Sequence, residues 1–575
     1  MTRYGKTRFR NGFLLSCTVT ACLFASACDN APPLPADRVY LNAAVYTFDD
    51  ERRKVDAVAI RDGVIIFTGS STAAARFIDD NTDVTDLQQR MLMPGFHDAH
   101  AHVLAAGLAK AGCDLKDERD HDVIRAILEE CAGSGDVGPD EWVTGSRWPL
   151  AAFPDGRPPK AWLDEIFAGR PAYFVDTFAH SAWVSSRALQ IAGIGRDTPD
   201  PDQGIIERDA LTGVPVGVLR DSAMDLVARH LPEPSAADLA AALKTALVEV
   251  RRLGITAYIE PGLSERHLAA YRDADQSGKL TARVLASLSP IAWEAGKFGD
   301  EVYELVAGRA SYKGRYLNTD SVKVYIDGII ETRTSYMLQP YSGGGNFPPF
   351  YAKDELSSIY RKLDAMGLQI HTHAIGDAAI RLALDAYEHA REQNGPGDNR
   401  HQIVHLQLID TADIPRFGEL GVAANFQCLW CYPDDYIDVA KDIVGAERVN
   451  RFYPVASVAS SGGLIVGGSD WDVSSLNPLD AIETAVTRQN PFDDSGPVLG
   501  SGENIELQAA LEMYTRNAAR VMRLETQSGS IEVGKRADLI VLDRDLFGIP
   551  IHEVNQARIL QTVLDGVEVY TDRTF

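Results

Sequence analysis

Pro94-Gly95-Phe96-His97-Asp98-Ala99-His100-Ala101-His102 is the stretch on which the reading of this chain turns. A Pro-Gly turn and a short apolar approach lead into a His-x-His pair, His100 and His102. On a β-strand, residues i and i+2 project from the same face, so two imidazoles can converge on one ion from a rigid platform. Neutral imidazole is the commonest protein ligand for zinc and its neighbours. The same pair on a surface strand is two solvated polar residues, so the other ligands must come from elsewhere in the chain.

Four later segments offer them in order. Ser321 to Gly328 reads as a strand carrying Lys323, where a surface lysine is an equally simple reading. Gly367 to Asp377 holds His371 and His373, His401 to His405 ends on a histidine, and Gly463 to Asp470 ends on a carboxylate. Apolar strands separated by helix-length segments are the sequence form of a parallel sheet. In a (β/α)8 barrel the chemistry sits at the C-terminal strand ends.

With these residues in place, nearly everything after residue 37 resembles the amidohydrolase superfamily, in the branch of N-substituted formamide deformylase and the YtcJ-like proteins. Further matches are HAIGD at His373 to Asp377, GSDW ending at Trp471 with Asn477-Pro478 after it, and GSIEVGKRADLIVLD at Gly529 to Asp543. The resemblance implies an α/β fold: a (β/α)8 TIM-like metal-dependent hydrolase barrel plus a small β-sandwich formed by both chain ends. In that pattern His100 and His102 end strand 1, Lys323 strand 4, His373 strand 5, His405 strand 6 and Asp470 strand 8.

The expected organisation is a sandwich from residues 37–94 and 525–575 around a barrel at 95–524, with a cap-like insertion at about 105–250. The two terminal regions alternate apolar and polar residues around Asp62-Gly63 and Asp565-Gly566, as antiparallel strands do. The insertion is far longer than one βα unit needs. It contains Trp148, His180 and Trp183, which with Trp430 are the expected substrate-pocket residues; aromatic core is the competing reading of each tryptophan. Asp377 is the expected N-cap of the helix after strand 5.

With 575 residues, 45% hydrophobic and 24% charged, the chain is ordinary globular material. Its formal net charge of -25 excludes a phosphate backbone as partner. Residues 1–28 read as an export signal, with Arg3, Lys6, Arg8 and Arg10 before an apolar run, Gly12 to Phe24, too short to span a bilayer. Ala25-Ser26-Ala27-Cys28 resembles a lipobox, making Cys28 a lipidated first residue; Ala25-Ser26-Ala27 also reads as an ordinary cleavage site. Residues 29–36 form a Pro-rich linker. The expected location is the bacterial cell envelope, facing the periplasm, with membrane contact only through the lipid. Whether the chain forms a homodimer is open. Cys113 and Cys131 are a possible bridge in an oxidising compartment, and Cys428-Leu429-Trp430-Cys431 is either a metal or redox motif or two small apolar residues in a loop.

The chemistry follows from the ligands. A protonated lysine binds no cation; the resemblance implies that Lys323 reacts with carbon dioxide to give a carbamate bridging two zinc-like ions, the alternative being an ion-paired lysine beside one. Asp470 then acts as general base and later acid, or, on the simpler reading, caps a helix in a surface turn. His371 sits two residues before His373, either behind the ligands or as a core histidine. The expected activity is hydrolysis of an amide, N-acyl, N-formyl or cyclic amide C–N bond of a small molecule. An ester or lactone hydrolase, or a non-catalytic envelope binding protein, are the alternatives.

Overall fold

The computed structural model describes residues 34–575 apart from 52, 134–137, 139–140, 290–297, 494 and 501. The signal segment, Cys28 and most of the linker lie outside the described residues. Among those described, no helix is long and apolar enough to cross a membrane.

Eight parallel strands form one sheet, in spatial order matching chain order: β1 Phe96–Asp98, β2 Ile255–Leu263, β3 Arg283–Leu288, β4 Leu317–Tyr325, β5 Gln369–Ala374, β6 Gln402–His405, β7 Ala423–Phe426 and β8 Ile465–Gly467. Beyond the ends of β1 and β8 the ring is joined by Ala99 N–H donating to the Gly467 carbonyl at 2.9 Å and Asp470 N–H to the His100 carbonyl at 2.7 Å. Closure this tight requires Gly468: a Cβ there would lie 2.7 Å from His100 Cβ and 2.8 Å from its nitrogen.

The helices bury apolar stripes against this barrel. Ala236–Arg252 starts at a capping box between Ser235 and Asp238 and buries Leu239, Ala242, Leu243, Ala246, Leu247 and Val250, a helical-period stripe. Each leucine so buried contributes about 2 kcal/mol. The short helix Val103–Ala109, which begins at His102, crosses it where Gly107 meets the Ala242 carbonyl; a Cβ on Gly107 would come within 2.2 Å of that oxygen. After β5 the helix Asp377–Asn394 is capped by Gly376, not Asp377. The Asp377 carboxylate accepts the Leu338 N–H at 2.7 Å and its neighbour Ala378 N–H at 3.0 Å.

Strands from the two chain ends pack as two sheets. One has four strands, all before residue 87; the other joins Lys54–Val55, Ala44–Tyr46 and Met91–Pro94 to Leu539–Leu542, Ile559–Leu564 and Val567–Thr571. Tyr40, Val45, Ile60, Leu92, Leu539 and Val563 share the core between them. Both hairpins turn on an Asp-Gly pair with positive φ: 52° and 73° at Asp62 and Gly63, 54° and 79° at Asp565 and Gly566. This conformation matches strand twist and favours Gly at the second position. A buried ion pair, Arg283 Nε to Asp538 Oδ2 at 2.7 Å, ties β3 to the second sheet.

The long insertion after β1 carries its own six-stranded sheet, from Cys113–Asp114 to Pro215–Asp221. Cys113 is disulfide-bonded to Cys131, fastening the edge strand to the helix His121–Gly133. Trp148 and Trp183 lie inside this layer, both fully buried, with ring centroids 6.4 Å apart and Phe153 and Phe174 around them. The expectation that they line the substrate pocket is therefore corrected. A sheet covered by its own helices needs large apolar side chains beneath them, and these two tryptophans fill that role, packed on each other, on Phe153 and Phe174 and, for Trp183, on Trp162 of the helix Lys160–Ile166. Cys428 and Cys431 are free and buried.

Candidate metal centre and active-site cavity

The histidine pair does not sit on the strand. β1 ends at Asp98, and His100 and His102 follow in the turn beyond it. The turn is held by the buried Asp98 carboxylate, whose Oδ1 accepts the N–H groups of both His100 and Ser469 at 3.0 Å. One side chain thus fixes the ends of β1 and β8 together. Burial pushes Asp98 up to about 7, against the hydrogen bonds it accepts.

All six expected ligands line one cavity of about 730 Å³ at the C-terminal end of the barrel. His100 Nε2 and His102 Nε2 stand 3.1 and 3.2 Å from Asp470 Oδ1, and His405 Nδ1 is 3.8 Å from Asp470 Oδ2. The His405 ring lies 5.1 Å from His100 and 4.6 Å from His373, centroid to centroid. Lys323 is buried with its Nζ 4.7 Å from the Tyr325 ring centre. Asp470 is also buried, and the next helix, Pro478–Thr487, is capped by Asn477. The surface helix-cap reading of Asp470 therefore does not hold.

The donor atoms fit a divalent cation. His100, His405 and Asp470 each present a ligand atom within 4.8 Å of the others. His100 Nε2 and Asp470 Oδ1 are buried without a hydrogen-bond partner, an arrangement that costs free energy unless something else satisfies them. The second nitrogen of His100, Nδ1, is 2.6 Å from His371 Nε2, so its unpaired nitrogen faces Asp470. Burial holds His100, His373 and His405 well below the ordinary imidazole range, which keeps them neutral with a lone pair to give. Burial alone pushes Asp470 up, but its close neighbours His102, His405 and Lys323 outweigh it and hold the carboxylate well below its usual range. Lys323 is driven down to about 7 by burial, against the pull of Asp470.

The walls come from several elements. Trp430 stacks on the His405 ring at 5.6 Å and 11°. His180 reaches in from the insertion: its ring is 5.2 Å from His373 and its Nδ1 is 2.7 Å from Asp221 Oδ1. Burial pushes His180 down, but the Asp221 hydrogen bond and charge outweigh it and raise it above its ordinary value. Of the four pocket residues expected, the structure places two, His180 and Trp430, on the cavity. Sequence reasoning missed Tyr325, Glu260 and Glu331, which also line it. Glu260 accepts the Val103 and Leu104 N–H groups at 2.9 and 3.2 Å, anchoring the helix that follows His102. A carboxylate inside the apolar run Ile255 to Leu263 was the available signal.

A parallel eight-stranded barrel with histidines, a lysine and an aspartate at its C-terminal mouth defines the metal-dependent hydrolase class of fold. The Amidohydrolase family model (Amidohydro_3) matches residues 83–570. The chain belongs to that family, and it is a hydrolase. It is 30% identical over 539 residues to the putative amidohydrolase YtcJ of Bacillus subtilis, covering 92% of this chain and 98% of that one. It is 28% identical over 561 residues to N-substituted formamide deformylase of Arthrobacter pascens, covering 93% and 98%. In fold it resembles an uncharacterised metal-dependent hydrolase from Pyrococcus horikoshii, with a TM-score of 0.70 and 23% identity over 89% of this chain and 99% of the other.

Proposed function

We propose that this protein hydrolyses an amide, N-acyl, N-formyl or cyclic amide C–N bond of a small molecule, using one or two zinc-like ions held by His100, His102, Lys323, His373, His405 and Asp470. The observation that carries the reading is the convergence of His100 Nε2 and Asp470 Oδ1, buried and unsatisfied, beside His405 in a cavity large enough for a small substrate. Nitrogen and carboxylate donors suit zinc and its neighbours.

A bound divalent ion supplies Lewis acidity, polarising the carbonyl and making water more acidic. The chain's own residues do the rest. Asp470, held anionic, takes a proton from the attacking water on one of its oxygens and returns it to the departing nitrogen. Water thereby adds to the carbonyl carbon and the C–N bond breaks, giving a carboxylic acid and an amine, which stay joined in one molecule when the amide is cyclic. Lys323 is suited to carbamate formation, because burial gives it a substantial neutral fraction near neutral pH; the free amine adds to carbon dioxide with loss of one proton. Trp430 and the His180–Asp221 pair bound the space in which the substrate is held. The basic and apolar leader ending at Cys28 supports export and lipid anchoring in the cell envelope.

Metal analysis of the purified protein, with turnover measured on formamides, N-acyl amines, cyclic amides and lactones, tests this reading. An active, folded preparation free of metal would overturn it. Preference for lactones over every amide would move the assignment to ester chemistry on the same site. Lys323→Ala should abolish turnover and regain part of it with short carboxylic acids, which fill the place of the carbamate.

A further inference from the structure

Inside the barrel, four buried side-chain amides form an unbroken chain, from Gln369 at the start of β5 through Gln402 at the start of β6 and Asn425 on β7 to Gln427 just after it. Its polarity is set by its anchors. Gln369 Nε2 lies 2.7 Å from the Arg400 carbonyl and 2.6 Å from the Val521 carbonyl, where only an NH2 group fits. Gln369 Oε1 must therefore accept, and it does so from Gln402 Nε2 at 3.0 Å. Gln402 Oε1 in turn accepts from Asn425 Nδ2 at 2.8 Å. The same Asn425 Nδ2 donates to the Ala99 carbonyl at 2.9 Å, so its orientation is fixed a second time, independently. Asn425 Oδ1 then accepts from Gln427 Nε2 at 3.1 Å, which leaves Gln427 Oε1 facing His405 Nδ1 at 2.8 Å.

An amide oxygen has no proton to give. We infer that this directional amide chain, through Asn425 and Gln427, fixes the tautomer of His405 with its proton on Nδ1, leaving Nε2 as the ring's only lone-pair nitrogen. Asn425 and Gln427 are positioning residues: they act through His405, and the Ala99 carbonyl that orients them belongs to the same turn that carries His100. Groups that fix a ligating histidine's tautomer typically change metal affinity 10- to 100-fold when removed. The tautomer is read here without any metal; the affinity effect rests on the proposed role of His405 as a ligand, so the two can fail separately.

The experiment is 15N NMR of ring-labelled histidines in the protein before and after zinc loading, with the His405 signals assigned by their loss in His405→Gln and the tautomer read before loading, alongside zinc affinity by chelator competition. A one-bond coupled, slowly exchanging proton on Nδ1 is expected in the parent. Gln427→Leu should lose that slowly exchanging signal and weaken zinc binding about 10-fold or more. Gln402→Leu should retain the signal, because Asn425 is still anchored on Ala99. A proton on Nε2 in the parent would overturn the inference, as would an unchanged Nδ1 signal in Gln427→Leu. An altered tautomer with unchanged zinc affinity would uphold the chain's control of the ring and remove His405 from the ligand set.

Discussion

Replacing Asp470 with asparagine separates catalysis from metal holding. The backbone at Asp470 has φ 54°, a conformation that asparagine adopts as readily as aspartate. Asparagine Oδ1 can keep the 3.1 and 3.2 Å approaches to His100 and His102, while an NH2 group replaces the oxygen 3.8 Å from His405. The shape therefore survives, and what is lost is an anion able to carry a proton. General acid–base catalysis is worth roughly 10²- to 10⁴-fold in rate, or about 3–5 kcal/mol at 1.36 kcal/mol per factor of ten. Turnover number and bound metal, measured on the same preparation at saturating metal, read the two effects separately. The expected result is a kcat fall of about 10² or more with metal content largely kept. Near-normal turnover in the asparagine variant would remove Asp470 from proton transfer and refute the reasoning.

Gly468→Ala should lower metal occupancy although residue 468 touches no ligand atom, because its Cβ would stand 2.7 Å from His100 Cβ and force that turn away from Asp470; full occupancy, measured by metal analysis, would contradict it. Asp538→Ala leaves the Arg283 guanidinium buried with Asp565 3.6 Å away and the Tyr316 ring 5.3 Å away in place of its 2.7 Å carboxylate partner, and should cost about 3 kcal/mol in chemical denaturation. Asp480 is raised to about 6 from 3.8, by burial against its Ser475 and Asn477 hydrogen bonds. The folded state then holds a proton that the unfolded chain has lost, so this group's contribution to stability falls as pH rises from about 4 to about 6 and is level above that. Asp480→Asn should flatten the pH dependence of denaturation in that window by on the order of 2 kcal/mol; an unchanged slope would show that the carboxyl is ionised there.

What the sequence made legible, and what it hid, divides along how local each constraint is. The barrel could be read because each strand is a short apolar run and its chemistry-bearing residue lies at or just beyond the run's end, a pattern contained in ten residues. The turn after β1 was misread as strand because its geometry is imposed by Asp98 gripping Ser469, 371 residues away, and nothing in the local pattern announces that grip. Trp148 and Trp183 were misplaced for a related reason: a sheet interior and a substrate pocket both select large apolar side chains, and only the pairing of Ala172–Asp176 with its neighbours shows which surface they meet. The amide chain was the hardest case. Gln369, Gln402, Asn425 and Gln427 are amides in or beside buried strands, and singly each looks like a defect in the apolar pattern. Burying one amide with unmet hydrogen bonds is costly, so such residues are stable only when their partners across the barrel meet those bonds. An isolated amide in a parallel-barrel strand is therefore a demand for a partner on the adjacent strand, and here the successive demands lead from one strand to the next until they reach His405.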